Sequence, residues 1–111
     1  MAKLPPKVRD VLIELEKGLK ELYGDRFHRL LLYGSYARGT AWEGSDVDLL
    51  LLLEGPVNPG QEILRTGELT ASLSLESELV LSVLPFSIED FERAETMFLR
   101  NVRKDAIPVA A

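Results

Sequence analysis

Five consecutive leucines, Leu49 to Leu53, follow directly on Asp46-Val47-Asp48. A run this short cannot cross a membrane. Successive residues of a strand face opposite ways, so an unbroken apolar run fits a strand covered on both faces. The chain therefore needs a sheet with a packing layer on each side, and helices are the usual cover. Its 111 residues suffice for one such domain, since domains cluster near about 100–150 residues.

The rest of the chain supplies those layers. Pro5 and Pro6 mark a helix start. From Lys7 to Tyr23, the residues Val8, Val11, Leu12, Leu15, Leu19 and Leu22 recur at three- and four-residue steps, which predicts an amphipathic helix closed by Gly24. Arg29 to Tyr33 reads as a short buried strand that ends in Gly34-Ser35, with one helical turn over Tyr36-Ala37-Arg38. Gly39 to Ser45 reads as a loop, Asp46 to Leu53 as the clearest strand, and Glu54 to Gly60 as a turn region. Gln61 to Leu75 is expected to be a helix with Ile63, Leu64, Leu69 and Leu73 on one face. Leu79 to Phe86 is expected as a third strand, stopped near Pro85. Ser87 then caps a last helix with Glu89 and Asp90 in its first turn and a core face of Phe91, Ala94, Phe98, Leu99 and Val102. Pro108 is expected to end the ordered chain. The fold class is α/β (α+β), a small sheet with helices packed on it. The loop between the first two strands is long enough for either pairing direction.

Composition narrows the chemistry. The absence of cysteine excludes a disulfide framework, thiol catalysis and a thiolate zinc site. The single histidine, His28, excludes multi-histidine metal sites and argues against a serine–histidine–aspartate triad. Thirteen basic against eighteen acidic residues leave a net charge of −5, which repels phosphate backbones, so stable nucleic-acid binding is not expected. Met1-Ala2-Lys3-Leu4-Pro5-Pro6 lacks the apolar stretch of a signal peptide. The expected location is cytoplasmic, with no membrane association.

Two features carry chemistry. Gly34-Ser35 closes a strand and opens a possible helical turn. Glycine allows close backbone approach, and free amides beside a serine hydroxyl suit a phosphate. Asp46 and Asp48, alternate residues of a strand, project together. Side-by-side carboxylates repel each other and lose hydration, so a cation is their natural complement, and hard oxygen ligands select magnesium or manganese. The alternative is that Asp46 caps a turn while Asp48 lies at a solvated sheet end. Together the two features describe nucleoside triphosphate chemistry, in which cations clamp phosphoryl oxygens.

Gly34-Ser35-Tyr36-Ala37-Arg38-Gly39-Thr40, followed by Gly44-Ser45-Asp46-Val47-Asp48-Leu49-Leu50, resembles the signature of the minimal nucleotidyltransferases (MNT) of the DNA polymerase β-like superfamily. The pattern is glycine–serine, ten residues, then Asp-x-Asp; Ala37-Arg38-Gly39 and Ser45 add specificity. The resemblance continues weakly through Leu73-Ser74-Leu75, Ser82-Val83-Leu84-Pro85 and Asn101-Val102-Arg103-Lys104. It is identified over nearly the whole chain as one MNT domain, residues 1–111. The resemblance implies a mixed sheet flanked by helices, use of a nucleoside triphosphate with Mg2+ or Mn2+, and nucleotidyl transfer with release of pyrophosphate. Small stand-alone members are often antitoxins whose partner is a HEPN-domain toxin, an RNase. The resemblance then implies a hetero-oligomer in which AMP passes from ATP to a hydroxyl of the toxin, a tyrosine in such members.

Carried onto this sequence, Gly34 and Ser35 would hold the triphosphate, and Asp46 and Asp48 the metal. Arg38 would either support phosphate charge or form a structural salt bridge. The family's third carboxylate, metal ligand and general base at the start of a later strand, is matched best by Glu78, with Glu76 as the alternative. Among the remaining residues, His28 is expected at the surface. Trp42 could stack on a base, touch a partner or anchor its loop. Tyr36 could accept a nucleotide or pack. Lys3, Lys7 and Arg9 read as a solvated helix start. A second reading is a non-catalytic module that masks a toxin, since an acidic protein suits a basic RNase surface. The paired aspartates favour catalysis, because masking does not require them.

Overall fold

The computed structural model describes residues 4–93 and 96–109. Helix α1 (Pro6–Tyr23) starts on the expected prolines, and Gly24 closes it by donating its N–H to the Lys20 carbonyl. A short 3-10 turn (Gly24–Arg26) leads into β1 (Phe27–Tyr33). Next come the one-turn helix α2 (Ser35–Arg38), β2 (Val47–Leu53), α3 (Pro59–Ser77) and β3 (Leu81–Ser87). Two short helices, α4 (Ile88–Arg93) and α5 (Met97–Asp105), precede β4 (Ile107–Pro108). The described strands form one mixed sheet in the order β3-β2-β1-β4. β1 pairs antiparallel with β2 and with β4, and β2 pairs parallel with β3.

The leucine run is the centre of this sheet, and both its faces are covered. Leu49, Leu51 and Leu53 join Leu30 and Leu32 against the α1 stripe of Val8, Leu12, Leu15 and Leu19. Leu50 and Leu52 join Leu31 against Leu99 and Val102 of α5. All five leucines are without solvent exposure. Each such side chain contributes about 1.5–3 kcal/mol of burial free energy, which makes β2 the firmest element available to carry a site. No helix among the described residues is long and apolar enough to cross a membrane.

Four expectations are corrected. The inward side of α3 is not built on Ile63 and Leu64, which are 49% and 83% exposed. Glu62 and Thr66 take that place, because Glu62 accepts the Tyr23 hydroxyl hydrogen bond (2.8 Å) and lies near Arg26 and Arg65. Leu69 and Leu73 do pack on the core, and Leu69 seats over Gly18, where a β-carbon would meet it at 2.8 Å. Pro85 does not stop β3 but sits inside it opposite Leu51, which is tolerated because β3 is an edge strand. The last helix is two helices. Ser87 caps the first as expected, and Thr96 caps the second by accepting the Leu99 N–H at 3.1 Å. Phe91, Leu99 and Val102 face the core, Phe98 is 41% exposed, and Ala94 lies outside the described residues, as does Lys3. Finally, order does not end at Pro108: β4 pairs with Leu31 and Leu32, and Val109 is buried, with its N–H on the Leu30 carbonyl.

Candidate active site

The strand register fixes what surrounds the aspartates. Asp48 lies opposite Tyr33 of β1 and Ser82 of β3, so these three residues form a row across the sheet on the α5 face. Asp46 precedes β2 by one residue and is exposed, while Asp48 is half-buried. Gly34 follows Tyr33 with φ 76° and ψ −156°, a conformation that favours glycine. A side chain there would run into the Asp48 carboxylate. The backbone then turns into α2, where no side chain caps the first turn and Gly39, in the left-handed region, donates its N–H to the Ser35 carbonyl. The Gly34-Ser35 turn and the Asp46, Asp48 pair are thus brought together at one end of the sheet.

Electrostatics at this end disfavour a lone pair of carboxylates. Burial pushes the Asp48 carboxyl pKa up, the Asp46 charge adds to this, and Arg38 opposes both. Burial, reinforced by Asp48, also raises the Tyr33 hydroxyl. The Phe98 ring stands edge-on to Tyr33 at 5.7 Å. Beside them lies a small cleft of about 90 Å3, lined by Tyr33, Gly34, Arg38, Asn101 and Asp105 among others. Arg38 forms an ion pair with Asp105 (3.5 Å), a contact with no local signal in the sequence. A larger apolar cavity lies toward the far end of β3, between Val57, Ile63, Leu84 and Phe86, away from the aspartates. The loop before Asp46 is braced by its own turn: Ser45 Oγ accepts the Trp42 N–H (3.0 Å), and Ser45 N–H donates to the Trp42 carbonyl. Trp42 is 73% exposed, so it is not a buried anchor.

Two hard oxygen ligands whose charges act on each other, with a glycine where any β-carbon would intrude, suit a divalent ion of the magnesium type, which takes one or two carboxylates and completes its shell with phosphate oxygens and water. The third carboxylate is not where the sequence placed it. No group of three potential metal ligands occurs among the described residues. α3 runs on through Ser77, so Glu76 lies on a helix, by a groove shared with Lys7 and Asp10 of α1. Glu78 is an exposed residue at the helix end with φ 61°. The β3 residues beside the aspartates are instead Ser82, opposite Asp48, and Val80, whose carbonyl accepts the Val47 N–H. Of the remaining candidates, His28 lies by the surface with Nδ1 3.0 Å from Glu54, Tyr36 packs on the core, and Lys7 and Arg9 are exposed.

The structure thus sets an aspartate pair at the start of a central strand of a mixed sheet, against a glycine–serine turn. The chain belongs to the nucleotidyltransferase domain family, whose pattern it matches over residues 12–107, and it is an enzyme of that kind. Two relatives come from Methanocaldococcus jannaschii. “Putative protein adenylyltransferase MJ0141” is 28% identical over 93% of this chain and 99% of the relative. A second protein of that description, MJ0604, is 33% identical over 83% of this chain and 87% of its own length. Solved structures share the fold. A chain of a toxin–antitoxin crystal structure with AMP-PNP superposes with a TM-score of 0.64 at 17% identity, over 93% of this chain and 73% of that one. A chain from the structure of tri-AMPylated Shewanella oneidensis HEPN toxin in complex with MNT antitoxin gives 0.59 at 14% identity, over 93% and 71%.

Proposed function

We propose that this enzyme transfers AMP from ATP to a hydroxyl, a tyrosine of a HEPN-type RNase toxin, and so acts as that toxin's antitoxin in the cytoplasm. The observation that carries the reading is the Asp46, Asp48 pair held against the Gly34-Ser35 turn. In this reading Gly34 and Ser35 receive the triphosphate, and Asp46 and Asp48 hold Mg2+ or Mn2+. The ion, when bound, neutralises phosphate charge and polarises the phosphoryl group. The acceptor oxygen forms a bond to the α-phosphorus, the bond from that phosphorus to the pyrophosphate oxygen breaks, and the hydroxyl proton is released. Arg38 shapes the cleft and lowers the charge cost at Asp48, and its pairing with Asp105 favours a structural role over phosphate contact. The names of the M. jannaschii relatives and of the toxin–antitoxin structures support the acceptor class.

The second reading, a module that masks a toxin without chemistry, draws on the lack of a third carboxylate grouped with the aspartates among the described residues. One experiment separates the two: labelled ATP, magnesium and the protein encoded by the neighbouring gene are incubated with this chain or with its Asp46→Asn, Asp48→Asn double variant. Label on the neighbour with the native chain alone establishes transfer. A silencing complex without label favours masking.

A further inference from the structure

We infer that Ser82 makes this a one-ion site: the chain holds a single divalent ion with its nucleotide and excludes a second. This rests on the proposed nucleotide reading of the same site. Neighbouring strands lie about 4.8 Å apart, and register partners of a parallel pair share a face. Ser82 is therefore the β3 residue paired with Asp48 on the same face of the sheet. On the other flank, β1 offers Tyr33, a phenol rather than a carboxylate. The residue before β3, beside Asp46, is Val80, 59% exposed and apolar. Every neighbour of the pair across the sheet is thus uncharged.

Ligand arithmetic follows. Two carboxylates plus phosphate oxygens and water complete one magnesium-type shell. Two ions a few ångströms apart carry four positive charges and need further anionic oxygens to hold them side by side. The protein adds none beyond the pair among the described residues, where no third Asp, Glu or His gathers with it.

The test is a titration of Mn2+ into the full chain with equimolar AMP-PNP, read by electron paramagnetic resonance of free Mn2+, with nucleotide alone as the control. One tight ion per complex is expected for the native chain. Ser82→Asp is expected to add a second ion with affinity raised about tenfold or more, as added ligand charge does, and Ser82→Ala to leave the count at one. Two tight ions in the native complex overturn the inference even where Ser82→Asp does not fold; so does a folded Ser82→Asp variant, checked by circular dichroism, that still binds one. The Asp46→Asn, Asp48→Asn variant tests the underlying reading separately. If it takes up ion and nucleotide like the native chain, the proposed site fails, and this inference fails with it.

Discussion

A β-carbon added to Gly34 would fall on the carboxylate of Asp48. The turn and the acid interlock, so each fixes the room left for the other. Gly34→Ala is expected to cost about 1–3 kcal/mol, since φ 76° is strained for alanine and the Asp48 side chain must move. Transfer activity should fall by about tenfold or more from the misplaced carboxylate. Urea denaturation and single-turnover transfer check the two effects. A variant with native stability and rate would show that the close approach is no constraint.

Acidity should reveal Asp48 directly. Its folded pKa is raised above the ordinary 3.8, so the folded chain binds this proton more tightly than the unfolded chain. The sign is then fixed: stability of the metal-free protein declines as pH rises from near the ordinary value through the raised one. Asp48→Asn should remove this decline and raise the metal-free melting temperature at neutral pH, while abolishing the gain expected of Mg2+ with nucleotide for the native chain under the proposed function. Thermal melts across that pH range, with and without both ligands, provide the measurement.

The buried carboxylate of Glu62 is a stability device rather than part of the site. It accepts the Tyr23 hydroxyl, whose pKa is raised chiefly by burial and then by this bond. Tyr23→Phe is expected to cost about 1 kcal/mol, and Glu62→Ala about 2–3 kcal/mol because it strands the hydroxyl and removes the partner of Arg26 and Arg65. A double-mutant cycle on denaturation free energies should give a coupling of about 0.5 kcal/mol or more. Ion binding at Asp46 and Asp48 should not change.

Two-sided cover of β2 makes a paired prediction. Leu51 faces α1 and Leu50 faces α5, and neither has solvent exposure. Each change to alanine should cost about 2–5 kcal/mol. A sheet open to water on one face would show a large loss at only one of the two positions, so urea midpoints decide the matter.

The parts of this fold legible in the sequence are those written in neighbouring residues. The leucine run and most of the α1 stripe are local patterns and form as read, although Leu22 is 41% exposed, Tyr23 takes the inward place at the helix end, and the strand starts at Val47 rather than Asp46. What was missed depends on contacts far apart in the chain. Glu78 looked like a strand-start carboxylate, but α3 keeps going through Ser77, where serine hydroxyls brace the exit: Ser77 Oγ accepts the Leu79 N–H and Ser74 Oγ the Leu81 N–H. That shift of the strand start puts Ser82, not Glu78, beside Asp48, and only the register shows it. Ile63 and Leu64 lost the inward place on α3 to a glutamate whose partners come from α1 and the turn after it. β4 is too short to carry a pattern, although the alternation of Ile107 and Val109 is consistent with it.

β2 is hydrogen-bonded on both edges and packed front and back, so its amides should exchange with solvent only when the whole molecule opens. Asp48 is part of that strand. Its backbone is therefore frozen by the folding reaction itself, long before any ligand arrives. If Asp48 receives a nucleotide's metal as proposed, half of that receptor is already immobile and little binding energy goes into ordering it.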